Sequence, residues 1–150
     1  MCDCPACRLL ARGGVTDRQA FDLIRQHDRH AIDRHGWSTH TIVASYPHSI
    51  HTHGLREKFG HPDLQVVLHL SPEDLVRLVE PIAVAVSQGR SFRAGEEVAD
   101  LFRVPVRFRE YREGSRTVLR AIFPDEKGRW PEDPTAPQGW RDQLLTLMDT

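Results

Sequence analysis

Four of the nine histidines in this 150-residue chain fall between Ser45 and Leu64, in SYPHSIHTHGLREKFGHPDL: His48, His51, His53 and His61. Imidazole ligates zinc, iron, copper and nickel, and near neutral pH it also moves protons. Residues i and i+2 of an extended chain share a face. His51 and His53 are therefore spaced to chelate one ion, with His48 joining through the turn at Tyr46-Pro47 and His61 from the following loop. No H-E-x-x-H motif accompanies them, and no carboxylate stands at a standard ligand offset. The same spacing also suits polar loop residues whose imidazoles cap backbone groups around Pro47 and Pro62.

A second group of metal-type residues opens the chain. Cys2-x-Cys4-x-x-Cys7 contains the close C-x-x-C pair that lets two thiolates reach one zinc-class ion. There is no second C-x-x-C, so histidines would have to complete such a site. A thioredoxin-type site needs a strand before the pair and a helix after it, a context the sequence does not show, which leaves redox sensing by these thiols as a third reading. Solvent-exposed thiols on an irregular arm are the plain alternative. His27, His30 and His35 lie among Asp28, Arg29, Asp33 and Arg34 and read as a solvated helix face. His40 and His69 stand alone in strands.

The second half is rich in arginine. Arg107 and Arg109 alternate with Val106 and Phe108, which places them on the opposite strand face. With Arg116, Arg120 and the loop around Trp130 they could hold a phosphate- or carboxylate-bearing ligand. Interspersed Glu96, Glu97, Asp100, Glu110 and Glu113 equally suit a solvated sheet face. Neither a phosphate-binding G-x-x-x-x-G-K-[ST] loop, nor G-x-G-x-x-G, nor G-x-S-x-G occurs, which disfavours nucleotide cofactors and standard serine hydrolysis.

These residues need elements to position them. Thr16-x-x-Gln19 is a capping box that starts a helix from Asp17 to His35, closed by Gly36; Phe21, Ile24, Ala31 and Ile32 form its thin apolar stripe. GWSTHTIVAS reads as a strand ended by Tyr46-Pro47, and residues 50 to 55 return as a short one. REKFGHPD reads as a loop, and LQVVLHL as the clearest strand. Ser71-Pro72-Glu73-Asp74 starts a second long helix, which Pro81 should kink or split before it stops near Gly89. VPVRFREY and RTVLRAIF form a hairpin around Glu113-Gly114-Ser115. The proline-rich segment from Pro124 is loop, and a short amphipathic helix follows from Trp140. The pattern predicts an irregular cysteine-bearing arm over residues 1–14. Residues 15–150 then make a single α+β domain with a mainly antiparallel sheet and two main helices.

Composition sets outer bounds. Hydrophobic residues make up 39% and charged residues 27%, with a formal net charge of -1, as in a globular domain without bulk attraction to nucleic acid or anionic lipid. No apolar run is long enough for a bilayer span, and the N-terminus lacks a signal-peptide pattern. The expectation is a cytoplasmic protein in a reducing compartment, without structural disulfides.

HGW, IHTHGLREKFGHPDL, LSPEDLVRLVEPIAVAVSQGRSF and FPDEKGRWPEDP, in that order from about His35 to Pro134, resemble the bacterial domain of unknown function 4262 family. Its pattern is Gly-Trp, Tyr-Thr-x-Gly-Leu, Gly-His-Pro-Glu-Leu and a late Trp-Pro-Asp-x-x-Gly. This chain departs from it at His51 (usually Tyr), Asp63 (usually Glu) and Phe123 (usually Trp). Members often carry cysteines at the extreme N-terminus. The resemblance implies a small cytoplasmic bacterial protein and no particular reaction. It matches Thr52, Gly54, Leu55, Gly60, His61, Pro62, Asp125 and Gly128, and of these His61 and Asp125 are the polar candidates for catalytic work.

The sequence thus points first to a domain binding zinc or another transition metal. His51, His53 and His61 are its core ligands, and His48, Cys4 and Cys7 are further candidates. An open position on the ion would activate water, with His61 or Asp125 moving the proton. The alternative is a non-catalytic module that binds a small anionic ligand or a protein partner through Arg107, Arg109 and Trp130.

Overall fold

The computed structural model describes residues 4–43 and 46–147. Cys2 and the expected strand end at Ala44 and Ser45 lie outside the described residues.

The arm expected to be irregular contains helix α1 (Pro5–Arg12). Pro5 occupies its first turn, where a missing N–H costs nothing, and the Cys4 Sγ caps it by accepting the Cys7 amide at 3.4 Å. Local capping by a cysteine, not a hydroxyl or amide side chain, hid this helix from the sequence reading. Helix α2 (Asp17–His35) has the expected bounds and its capping box, with Thr16 Oγ1 accepting the Gln19 amide at 3.2 Å and Gln19 Oε1 accepting that of Thr16 at 2.8 Å. Its buried apolar residues are Leu23, Ala31 and Ile32, whereas Phe21 and Ile24 stay exposed. The expected stripe is thus rotated: Leu23 packs under α1, and Phe21 and Ile24 look elsewhere.

Strands β1 (Ser38–Ile42) and β2 (His48–His53) pair antiparallel. The segment expected as a loop carries one helical turn, α3 (Leu55–Phe59), before β3 (Asp63–Leu68). Helix α4 (Pro72–Ser87) starts at the Ser71 cap and runs through Pro81 as one helix, not two. The backbone bond that Pro81 forfeits would go to the carbonyl of Arg77, an exposed residue, so water can replace it. After the two-residue β4 (Glu97–Val98), β5 (Val106–Glu113) and β6 (Arg116–Ile122) form the expected hairpin, with Glu113 opposite Arg116. A four-residue helix, α5 (Gln138–Arg141), and a 3-10 turn (Asp142–Leu144) follow.

The result is one α+β domain. Its six-stranded sheet has the order β1-β2-β3-β6-β5-β4, antiparallel except between β3 and β6. That parallel contact requires a crossover, and α4 supplies its helix, packed on β2 and β3. On this face Ile50, Leu64, Val66, Leu119 and Phe108 meet Leu75, Val79, Ile82 and Val86 in the main core. Burying each large aliphatic side chain contributes about 1.5–3 kcal/mol.

The opposite face mixes buried apolar residues, Val67, Val118 and Ile122, with buried polar ones. Arg120 is 2% exposed. Its Nε donates to Gln65 Oε1 at 2.7 Å, and its Nη1 donates to the carbonyls of Gln143 and Leu145 at 2.8 and 2.7 Å. The guanidinium lies 3.5 Å from the Tyr111 ring centroid. The 3-10 turn covers this end of the face through its contact with β3. The other end, at β1 and β2, is left to histidines.

Candidate metal centre

Register decides which histidines meet. In the β1–β2 ladder His40 lies directly opposite His51, and Ser38 opposite His53. Side chains alternate along a strand, so His51 and His53 share the face opposite the main core with His40, while Ile50 and Thr52 turn to the core. One nitrogen from each of His40, His51 and His53 lies within 4.8 Å of the others. The Nε2 atoms of His51 and His53 are 2.9 Å apart. A tetrahedral zinc ion with Zn–N bonds of about 2.0–2.1 Å holds its nitrogens roughly 3.3 Å apart, so small ring rotations would suffice to seat one.

Donor chemistry fixes the proton positions. Arg116 can only donate, and its Nη1 lies 3.2 Å from His53 Nδ1. Neutral His53 therefore carries its proton on Nε2 and donates it to His51 Nε2. His51 in turn carries its proton on Nδ1. That atom is buried without a hydrogen-bond partner, and the nearest carboxylate oxygen, Glu113 Oε1, stands 3.9 Å away, beyond hydrogen-bond reach. His51 thus already has the tautomer of a ligand: a lone pair on Nε2 facing its neighbours and an N–H on the far side, toward a carboxylate.

Electrostatics keep both rings neutral. Burial pushes the His51 pKa down to about 3, with the charge of Arg116 adding to it. Burial and Arg116 likewise lower that of His53. Neutral imidazole is the form that binds metals.

A cavity of about 550 Å³ opens over these rings. Phe21, Ile24, Arg25 and Asp28 of α2 form one wall, and the histidines with Glu113 and Arg116 form the floor. This accounts for the exposed Phe21 and Ile24. A larger cavity, about 740 Å³, lies between α2 and α4 beside His27, His30 and His35, but those three do not form a convergent donor set.

The remaining candidates lie elsewhere. His48 has the opposite parity to His51; its Nδ1 donates to the Leu70 carbonyl at 2.9 Å, and its ring stacks on Tyr46. His61 is 4% exposed with both nitrogens engaged. Its Nε2 accepts the Phe92 amide at 3.0 Å, and its Nδ1 donates to the Pro62 carbonyl at 2.7 Å. Asp125 accepts the amides of Lys127 and Arg129 and the Arg129 Nε at 2.7–2.9 Å, in a tight turn. Burial would raise its pKa, but the bonds from Arg129 and Lys127 hold it below the ordinary value. Neither His61 nor Asp125 lines the histidine cavity.

Arg107 pairs with Glu97 at 2.7 Å and lies over the Trp130 ring, and Arg109 pairs with Glu132 at 2.7 Å. Each already has a carboxylate. Cys4 and Cys7 do not join the β2 histidines; they meet His27.

Two residues escaped the sequence reading. His40 became visible only through the β1–β2 register; treating the break at Tyr46-Pro47 as a hairpin would have put it near His51. His27 lies one helical turn after Leu23, so the two share a face. That face would have been noticed had Leu23 been read as buried.

The fold and site define a mixed α+β domain with a histidine-floored cavity at one sheet edge. The chain belongs to the family described as Domain of unknown function (DUF4262), whose model matches residues 31–137. Comparison with curated proteins and with solved structures gives no match. The matched stretch includes His40, His51 and His53, while Cys4, Cys7 and His27 precede it. Among the described residues no helix is long and apolar enough to cross a membrane.

Proposed function

We propose that this chain binds a zinc-class transition metal ion through His40, His51 and His53. The observation that carries this reading is the convergence of three imidazole nitrogens within 4.8 Å of one another at the floor of a cavity. Three nitrogen ligands are the donor set of a site that keeps a position open for water or a small ligand. The cavity gives that position access. Glu113 Oε1, 3.9 Å from His51 Nδ1, would have to close to hydrogen-bond distance to orient the ring. An ion at the two Nε2 atoms displaces the proton His53 holds between the rings. That single proton then moves to Nδ1, against Arg116, so uptake requires a tautomer change of His53 and no net proton release.

The test is metal analysis of the untagged protein purified without chelator, followed by cobalt(II) titration of the stripped protein. Wild type should show d–d absorption of an imidazole-ligated ion. His51→Ala/His53→Ala should lose that signal while keeping its far-ultraviolet circular dichroism. An unchanged cobalt spectrum in the folded double variant would refute the assignment.

A further inference from the structure

We infer that Cys4, Cys7 and His27 form a second metal site, a thiolate–imidazole clamp that fastens α1 to α2. The argument is independent of the histidine centre and uses none of its residues.

Geometry comes first. His27 Nδ1 lies 3.7 Å from Cys4 Sγ and 3.3 Å from Cys7 Sγ. A tetrahedral zinc ion, with Zn–S of about 2.3 Å and Zn–N of about 2.0–2.1 Å, sets its sulfur and nitrogen ligands roughly 3.6 Å apart. The two observed distances straddle that value, and all three ligand atoms lie within 4.8 Å of one another. The Cys7 amide points at Cys4 Sγ from 3.4 Å, a backbone donation that favours a thiolate over a thiol.

Energetics point the same way. α1 has eight residues, short of the roughly 12–15 that an isolated helix needs to be even marginal in water. It does not reach the main core. Its own cluster buries only Cys4, Ala6 and Leu23, with Cys7, Leu10 and Val15 at the edge. A core this small calls for a cross-link, and a zinc ion held by two thiolates and an imidazole supplies one.

Position rules out the main competitor. A thiol-exchange pair at a helix start needs its attacking sulfur accessible. Cys4, the residue at the helix start, is 5% exposed. The consequence reaches the cavity: His27 neighbours Asp28 and Ile24 on α2, both in the cavity wall. The clamp therefore steadies the helix that closes the histidine cavity.

The experiment uses the full chain, purified with a phosphine reductant and no chelator, stripped and then titrated with cobalt(II) and zinc. A near-ultraviolet sulfur-to-cobalt charge-transfer band is expected in wild type. It should persist in His51→Ala/His53→Ala, and it should vanish in Cys4→Ser/Cys7→Ser. His27→Gln, which removes a direct ligand, should weaken zinc binding at this site by at least the roughly 10–100-fold that loss of an outer-shell partner causes. Because α1 lies outside the main core, these variants should keep the principal unfolding transition, which serves as the folding control. Zinc should slow alkylation of Cys4 and Cys7, located by peptide mass. No charge-transfer band and zinc-independent alkylation would overturn the proposal, as would a Cys4–Cys7 disulfide in protein isolated under thiol-trapping conditions.

Discussion

Arg116 Nη1 sits 3.2 Å from His53 Nδ1, so a permanent cation faces the back of a ring whose front meets His51. That contact favours the metal-free tautomer and adds a positive charge near any incoming cation. Arg116→Gln removes the charge and offers an amide oxygen to an Nδ1–H. Metal affinity at the histidine centre should rise by about tenfold, the scale on which groups behind a ligand act. Competition against a chromophoric chelator measures it. Weaker binding in the variant would mean that Arg116 holds the ring in place for the ion.

Arg120 is the largest fully buried side chain, and burial lowers its pKa to about 10, so it remains charged at neutral pH. Arg120→Met strips the partners from Gln65 Oε1 and from two carbonyls of the C-terminal turn. Each buried acceptor left without its donor costs about 1–3 kcal/mol. Urea denaturation should show a loss of that order with an unchanged slope.

His61 should prove structural. His61→Ala leaves the buried Phe92 amide and the Pro62 carbonyl without their imidazole partner, a loss of about 1–3 kcal/mol per unsatisfied group. Metal content and cobalt spectra should match wild type. A variant that kept its stability but changed its metal spectrum would return His61 to the ligand set.

Asp125 gives a pH signature. Its carboxyl pKa is held below the ordinary 3.8 by Arg129 and Lys127. A group depressed in the folded state stabilises the fold above its unfolded pKa, and that contribution disappears as pH falls through the folded value. Asp125→Asn should therefore melt below wild type at neutral pH, and the gap should close as the pH drops below 3.8. A gap that does not vary with pH would assign the loss to the turn's shape.

Much of the scaffold is local and was legible. Thr16 with Gln19, Ser71 with Pro72, and Gly114 between two alternating segments each act through neighbours within a few positions, so the sequence names them directly. Local signals failed where the capping atom was unusual, as at Cys4, or where a proline's lost bond faced water, as at Pro81. The i, i+2 spacing of His51 and His53 was also local, because strand parity is a property of the chain itself. That parity also turns His48 away.

What sequence alone could not determine was which distant residues would meet. His40 reaches His51 through strand register, which is a property of pairing between segments. His27 reaches the thiols because Leu23 anchors α1 to one side of α2. Single side chains decided the roles of His61 and Asp125: a backbone amide 31 positions away and the neighbouring Pro62 carbonyl engage His61, and amides with the Arg129 guanidinium of the same turn engage Asp125. Residue types specified the available chemistry. Tertiary packing chose the partners, because convergence of three ligands is a distance condition that no linear spacing across separate elements can impose.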